Sequence, residues 1–277
     1  MHSEYYSFGG LTIRLCCEEA LLPSPICVPF AVHAEKADHT IIAAFSDTMP
    51  PIPANAACHE MEYCWQEEKR ACLERVFGSQ YMTFSAREGD TTRVLLSGGY
   101  RGSVSARTIL EAAGLMQLLA EHGMLILHSS YIRMADGRGL VFSGHSGVGK
   151  STQAALWEQF AAAQVINGDR ALLRPADSTA HGIIYSGTSG ICANVSTPLA
   201  AIVLPRQASE NLARPCPPRV AFARLLNQCA YYPGYAPDVE RMTELVAKLV
   251  SRVPVFELDC RMDEQAVRTL QNELRSI

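Results

Sequence analysis

The sequence predicts an α/β protein in two parts. A smaller, mainly β (α+β) domain spans residues 1–103, and a second domain with a central mixed, partly parallel sheet spans 104–277. Three observations lead there. Residues 5–48 and 81–97 hold short alternating or apolar runs separated by turn residues, the pattern of strands. From residue 105 onward, helical periodicity alternates with short apolar runs, the pattern of helices covering a sheet. Between one such run and a helix-forming segment lies a glycine loop, Gly144-His145-Ser146-Gly147-Val148-Gly149-Lys150-Ser151-Thr152.

In chain order, Leu11–Leu15 alternates and Ile41–Phe45 is an apolar run, so both are expected strands. Prolines 23, 25 and 29 break the stretch between them into turns or edge strands. Residues 49–57 read as a loop, and CWQEEKRACLERVF, within Cys58–Phe77, as a helix. Tyr81–Ala86 and Thr92–Ser97 are expected strands around the turn REGD, and LLSGGY at 95–100 is a strand ending in a turn. Residues 105–122 read as one helix, capped by Ser105 and ended by Gly123, with Ile109, Ala112, Ala113, Met116 and Leu119 on one face. Met124–His128 and Gly139–Ser143 are expected buried strands on either side of the turn ADGRG. After the glycine loop come a helix, a strand through Val165 ending at Asp169, and strands at Ala171–Arg174, Gly182–Tyr185 and Ala200–Leu204. Helices at Pro218–Cys229 and Pro237–Val250, a strand at Val255–Leu258 and a capped helix at Asp263–Leu274 complete the chain.

Residues 144–151 match G-x-x-x-x-G-K-[ST] in full. Glycines at 144, 147 and 149 free the backbone to turn successive N–H groups onto a phosphate. Lys150 reaches the β- and γ-phosphates, the Ser151 hydroxyl ligates Mg²⁺, and the following helix dipole adds positive potential. Asp169, at a strand end beside that loop, stands where Mg²⁺ needs a second protein ligand. The competing reading of Asn167-Gly168-Asp169 is a simple turn between strands. Ser186-Gly-Thr-Ser-Gly-Ile191 is small enough to approach a ligand, and equally reads as a plain loop.

Composition narrows the function classes. Hydrophobic residues make up 48%, enough for a buried core. Net charge is −4 and no basic cluster appears, which argues against a nucleic-acid or anionic-membrane surface. The start MHSEYYSFGG lacks the regions of a signal peptide, and no apolar run reaches spanning length. The ten cysteines are scattered and form no C-x-x-C pair, so reduced thiols in a cytoplasm are expected. Cys58, His59, Cys64 and Cys72 are soft ligands close in sequence, but their spacing is not that of a zinc finger, and structural cysteines are expected.

The short interval from loop to acidic strand resembles that of HPr kinase/phosphorylase and PEP carboxykinase. Gly144–Ser151 resembles the G-x-S-G-x-G-K-S form of the loop, Leu127-His128 the histidine-bearing strand before it, and Val165–Arg170 the kinase segment I-A-D-D-R. Tyr185–Pro205 is similar to the region that completes the site. The likeness covers residues 120–260 and does not extend to residues 1–100. It implies the fold of that family, ATP and Mg²⁺ as cofactors, and a homo-oligomer. Lys150 would grip the transferred phosphate, Ser151 and Asp169 would bind Mg²⁺, His128 would lie near the γ-phosphate, and Arg170 would stabilise transferred charge. The family's paired acids reduce here to Gly168-Asp169.

The expectation is a Mg-ATP-dependent kinase transferring the γ-phosphate to a hydroxyl, either a serine of a protein or peptide or a small molecule, with residues 1–103 binding the acceptor or a partner. The alternatives are a nucleotide-binding regulatory or scaffold protein without turnover, and PEP-carboxykinase-like phosphoryl transfer. A switch ATPase would need an arginine finger that the chain does not identify.

Overall fold

The computed structural model describes residues 1–59, 61–65, 69–76 and 79–275. The chain is mixed α/β, with two mixed eight-stranded sheets and six α-helices among the described residues. Contacts divide it into two units, Met1–His122 with Tyr231–Glu240, and Gly123–Ala230 with Arg241–Ile277. No helix among the described residues is long and apolar enough to cross a membrane.

The first unit is built on strands β1 (His2–Phe8), β2 (Leu11–Cys17), β3 (His39–Ser46), β4 (Ala57–His59), β5 (Glu62–Trp65), β6 (Lys69–Val76), β7 (Ser79–Glu88) and β8 (Thr91–Ser97). Their order is β1-β2-β3-β8-β7-β6-β5-β4. The pairs β2–β3 and β3–β8 are parallel and the rest antiparallel. β3 shows why the period-2 signal works: His39, Ile41, Ala43 and Phe45 are buried, and the residues between them are not. β7 and β8 pair around the expected turn, with Glu88 opposite Thr91.

Two sequence expectations fail in this unit. The helix expected at CWQEEKRACLERVF, Cys64–Phe77, is instead the end of β5 and all of β6, although residues 66–68 and 77 of that stretch lie outside those described. β6 is paired on both edges, Glu62 to Cys72 on one and Arg70 to Ser85 on the other. Hydrogen bonding to two neighbours outweighs the modest helix propensity of Lys, Arg, Glu and Leu. The helix over 105–122 is two helices, α1 (Ala106–Ala112) and α2 (Leu115–Glu121). Gly114 between them has φ of +74°, a left-handed conformation that interrupts the helical ladder. Ser105 does cap α1, accepting from Thr108 N at 3.3 Å.

The second unit contains β9 (Leu125–Arg133), β10 (Gly139–Ser143), α3 (Lys150–Ala161), β11 (Gln164–Asn167), β12 (Arg170–Arg174), β13 (Thr179–His181), β14 (Ser196–Gln207), β15 (Leu212–Pro215), α4 (Pro218–Leu226), the larger part of α5 (Ala236–Val250), β16 (Val255–Cys260) and α6 (Glu264–Leu274). The sheet order is β10-β9-β12-β13-β14-β16-β15, with β11 on β9. β10 also pairs parallel with β14, Leu140 facing Ala201, so β10, β9, β12, β13 and β14 form a closed circuit. β10 is therefore central and buried along its whole length, as an apolar run of five residues requires.

Trp157 of α3 packs on Phe142 of β10, ring centroids 6.4 Å apart, within a core shared with Val203, Leu258, Val267 and Leu270. This packing fixes α3 and α6 on one face of the sheet. Asp263 caps α6 as expected, accepting from Ala266 N at 3.1 Å. The strand expected at Gly182–Tyr185 lies earlier, at Thr179–His181. At Gly182 the chain runs so close to the next segment that an added Cβ would fall 1.7 Å from the Ala193 carbonyl oxygen.

Candidate functional site

β10 delivers the chain into the glycine loop, and α3 begins at Lys150. Gly147 and Gly149 have φ of +80° and +105°, conformations that side chains resist and that curl the loop back to the helix N-terminus. Val148 is buried and anchors the loop, whereas His145, Ser146 and Gly147 are exposed. Lys150 is only 8% exposed, and its Nζ donates to the carbonyl oxygens of Gly144 at 2.9 Å and His145 at 3.1 Å. The ammonium thus lies across the mouth of its own loop. Ser151 is exposed and Thr152 half-buried in the first turn of α3. From the end of β14, Gln207 Nε2 reaches the Gly147 carbonyl at 3.3 Å.

The candidate acid sits on the neighbouring strands. β11 and β12 both pair with β9 and are joined by the two-residue turn Gly168-Asp169. The Asp169 carboxylate lies 3.2 Å from Arg170 Nε and 3.6 Å from His128 Nε2. Arg170 faces His128 in the register of β12 and β9. His128, Asp169 and Arg170 are each about one-third exposed, a half-open polar patch.

The four charged or titratable groups share one field. Burial lowers the pKa of His128, Lys150 and Arg170 lower it further, and Asp169 and a hydrogen bond from the imidazole to the Gln228 side chain oppose them. The imidazole beside Asp169 is accordingly held toward its neutral form, so this contact is not a full ion pair. Lys150 is likewise lowered, first by burial, with Arg170 adding and Asp169 opposing. The structure therefore gathers Lys150, His128, Asp169 and Arg170 into one neighbourhood at the loop.

Several residues that shape this site were not singled out from the sequence. Asn167 is fully buried; its Oδ1 accepts from the backbone N–H of Asp169 and of Arg170, both at 2.9 Å, and its Nδ2 donates to Ile183 O at 2.7 Å. The sequence signal was present in the Asn-Gly-Asp turn, since Asn side chains bond the backbone two residues on. β9 clamps the same turn: Ser129 N donates to Asp169 O at 2.9 Å, and Ser130 Oγ to Gly168 O at 3.2 Å. Ser143 Oγ, at the end of β10, donates to His128 O at 3.0 Å. Segment 186–193 returns along β11, where Ala193 N donates to Ile166 O at 3.0 Å.

The first unit has a separate cleft. Trp65, Lys69, Arg70, Gln117, Tyr235 and Asp238 are among its lining residues. Arg70 is its hub, donating to Gln117 Oε1 and to Tyr232 Oη at 2.8 Å each, with its guanidinium 4.9 Å over the Tyr232 ring. Among the described residues no group of three or more His, Cys, Asp or Glu could hold a metal ion. Cys58 is exposed and Cys64 buried, while the Cys72 side chain lies outside those described.

No protein-family model matches the chain, and no curated protein matches it.

Proposed function

We propose that the second unit is a phosphate-loop domain of the HPr kinase/PEP carboxykinase type and that the chain is a Mg-ATP-dependent kinase acting on a hydroxyl. One observation carries this reading: a buried lysine spans a glycine loop at a helix N-terminus, with a carboxylate, a neutral-leaning histidine and an arginine in its field. In this reading Gly144 to Thr152 cradle the triphosphate through backbone N–H groups and the N-terminus of α3. Lys150 leaves its loop carbonyls for the β- and γ-phosphates.

The Ser151 hydroxyl and the Asp169 carboxylate are hard oxygen donors, the set that suits Mg²⁺. That ion would neutralise charge on the phosphates. His128, kept toward its neutral form, is suited to accept the acceptor's hydroxyl proton, and Arg170 to face charge on the transferred group. The first unit, with its Arg70 cleft, would bind the acceptor or a partner. A cytoplasmic setting fits the nine free cysteines among the described residues.

A second reading, nucleotide binding without turnover, is favoured by one specific feature. The position before Asp169 is a glycine, so one carboxylate stands where the resembled kinases carry two. The deciding assay incubates the protein with γ-labelled ATP, Mg²⁺ and a panel of small hydroxy compounds, free serine, serine peptides and cell extract. A labelled acceptor that disappears with Lys150→Ala supports the kinase. Binding of ATP with no transfer to any acceptor supports the regulatory reading. Unchanged ATP affinity in Lys150→Ala refutes both.

A further inference from the structure

Glycine at 168 is not demanded by its own backbone, which is outside the left-handed region. It is demanded by Ser189. A Cβ added at 168 would lie 2.3 Å from Ser189 Oγ and 2.6 Å from Ser189 Cβ. A Cβ has no rotamer to escape by, so any side chain at 168, an acid included, displaces the 186–190 loop. The packing is reciprocal. A Cβ at Gly187 would lie 2.6 Å from Asp169 Cγ and 2.8 Å from its Cβ. One short loop thus packs on both members of the Gly168-Asp169 pair.

The loop is held in that place. Ser189 Oγ donates to Ser186 O at 2.6 Å and accepts from Ile191 N at 3.2 Å. Gly168 N donates to Ile191 O at 3.3 Å. With its proton given to Ser186 O and a lone pair taken by Ile191 N–H, the Ser189 hydroxyl is engaged within its own turn. Residues 182–195 contain no Asp or Glu, so the loop brings no replacement carboxylate.

Resting on the reading of Asp169 as a Mg²⁺ ligand, we infer that Ser189 is a positioning residue: it fills the volume beside Gly168 and holds the Gly187 backbone against Asp169, so that a single carboxylate serves the metal. Gly168 and Ser189 are then a matched pair. The loop is a fixed wall of the site, and the loss of one acid is tied to a specific contact elsewhere in the chain.

The test is Mn²⁺ binding, followed by electron paramagnetic resonance, to the full chain saturated with a non-hydrolysable ATP analogue. Gly168→Ala drives a methyl into Ser189. It should weaken Mn²⁺ by at least about tenfold, as loss of a ligand-orienting contact does, with metal-free nucleotide affinity kept. Ser189→Gly removes both clashing atoms. Gly168→Ala combined with Ser189→Gly should be closer to wild type than Gly168→Ala alone, a coupling that independent sites do not show. Ser189→Ala keeps the Cβ wedge and loses only the turn hydrogen bonds, and should cost less than Ser189→Gly. Thermal melts that fall while Mn²⁺ affinity stays constant would overturn the inference and leave Ser189 a stabilising contact. Absence of nucleotide binding in the wild-type chain, or its persistence in Lys150→Ala, would instead remove the nucleotide-site reading and the inference with it.

Discussion

Replacing Asn167 with alanine tests the local design of the site. Its side chain is fully buried and makes three hydrogen bonds, two to the N–H groups of Asp169 and Arg170 and one to the Ile183 carbonyl. The two N–H groups lie on a half-open turn and can take water, so their loss costs about 1 kcal/mol each. The Ile183 residue is itself fully buried, and an acceptor orphaned there costs about 1–3 kcal/mol. Together the substitution should remove about 3–5 kcal/mol of stability. In a chain of this size that corresponds to a melting-point drop of roughly 10 °C.

The assay is urea denaturation read by circular dichroism and tryptophan fluorescence, since Trp157 is buried in the same unit. Asn167→Asp is the control. It keeps the two acceptor contacts but turns a carboxylate toward the Ile183 carbonyl, so it should preserve the turn while still losing stability. A loss below about 1 kcal/mol for Asn167→Ala would refute this account of the turn.

Two further outcomes follow from the electrostatics. Asp169→Asn removes the charge that raises His128, so the imidazole pKa should fall further, measured by NMR titration; an unchanged or raised value would contradict the shared field. The same variant should raise the Mg²⁺ concentration needed for nucleotide binding by about tenfold, and an identical Mg²⁺ titration would return Asp169 to a turn role. Stability should also fall in acid. Burial holds His39 and His181 at about 4, below the ordinary histidine value of 6.5, so the unfolded chain binds protons first as pH drops from 6.5 to 4. Each contributes a loss of about 3 kcal/mol across that window, none above it and no further loss below it. A melting temperature flat from pH 7 to pH 4 would exclude this.

What the sequence determined by itself is local. The glycine pattern at 144–149, the apolar run before it and the helix formers after it are short-range signals, and the strand, loop and helix fall where they were expected. The strands β2, β3, β7 and β8, the capped start of α1 and the capped helix α6 were legible for the same reason: period, turn residues and caps act within a few residues. The described part of Cys64–Phe77 was misread because its neighbours in the sheet, not its own residues, decide its conformation. Helix 105–122 was misread because one glycine, unremarkable in an apolar periodic run, adopts a left-handed conformation.

The site divides along the same line. Lys150 and the loop were visible in the motif, but their union with His128, Asp169 and Arg170 depends on β9 pairing with β10 on one edge and with β11 and β12 on the other. Asn167 could be suspected from its turn. Ser189 could not, because nothing in SGTSG announces that its fourth residue occupies the place of a side chain twenty-one positions earlier. Excluded volume between distant segments is written only in the packing, and here the packing fixes both the glycine at 168 and the wall that faces Asp169.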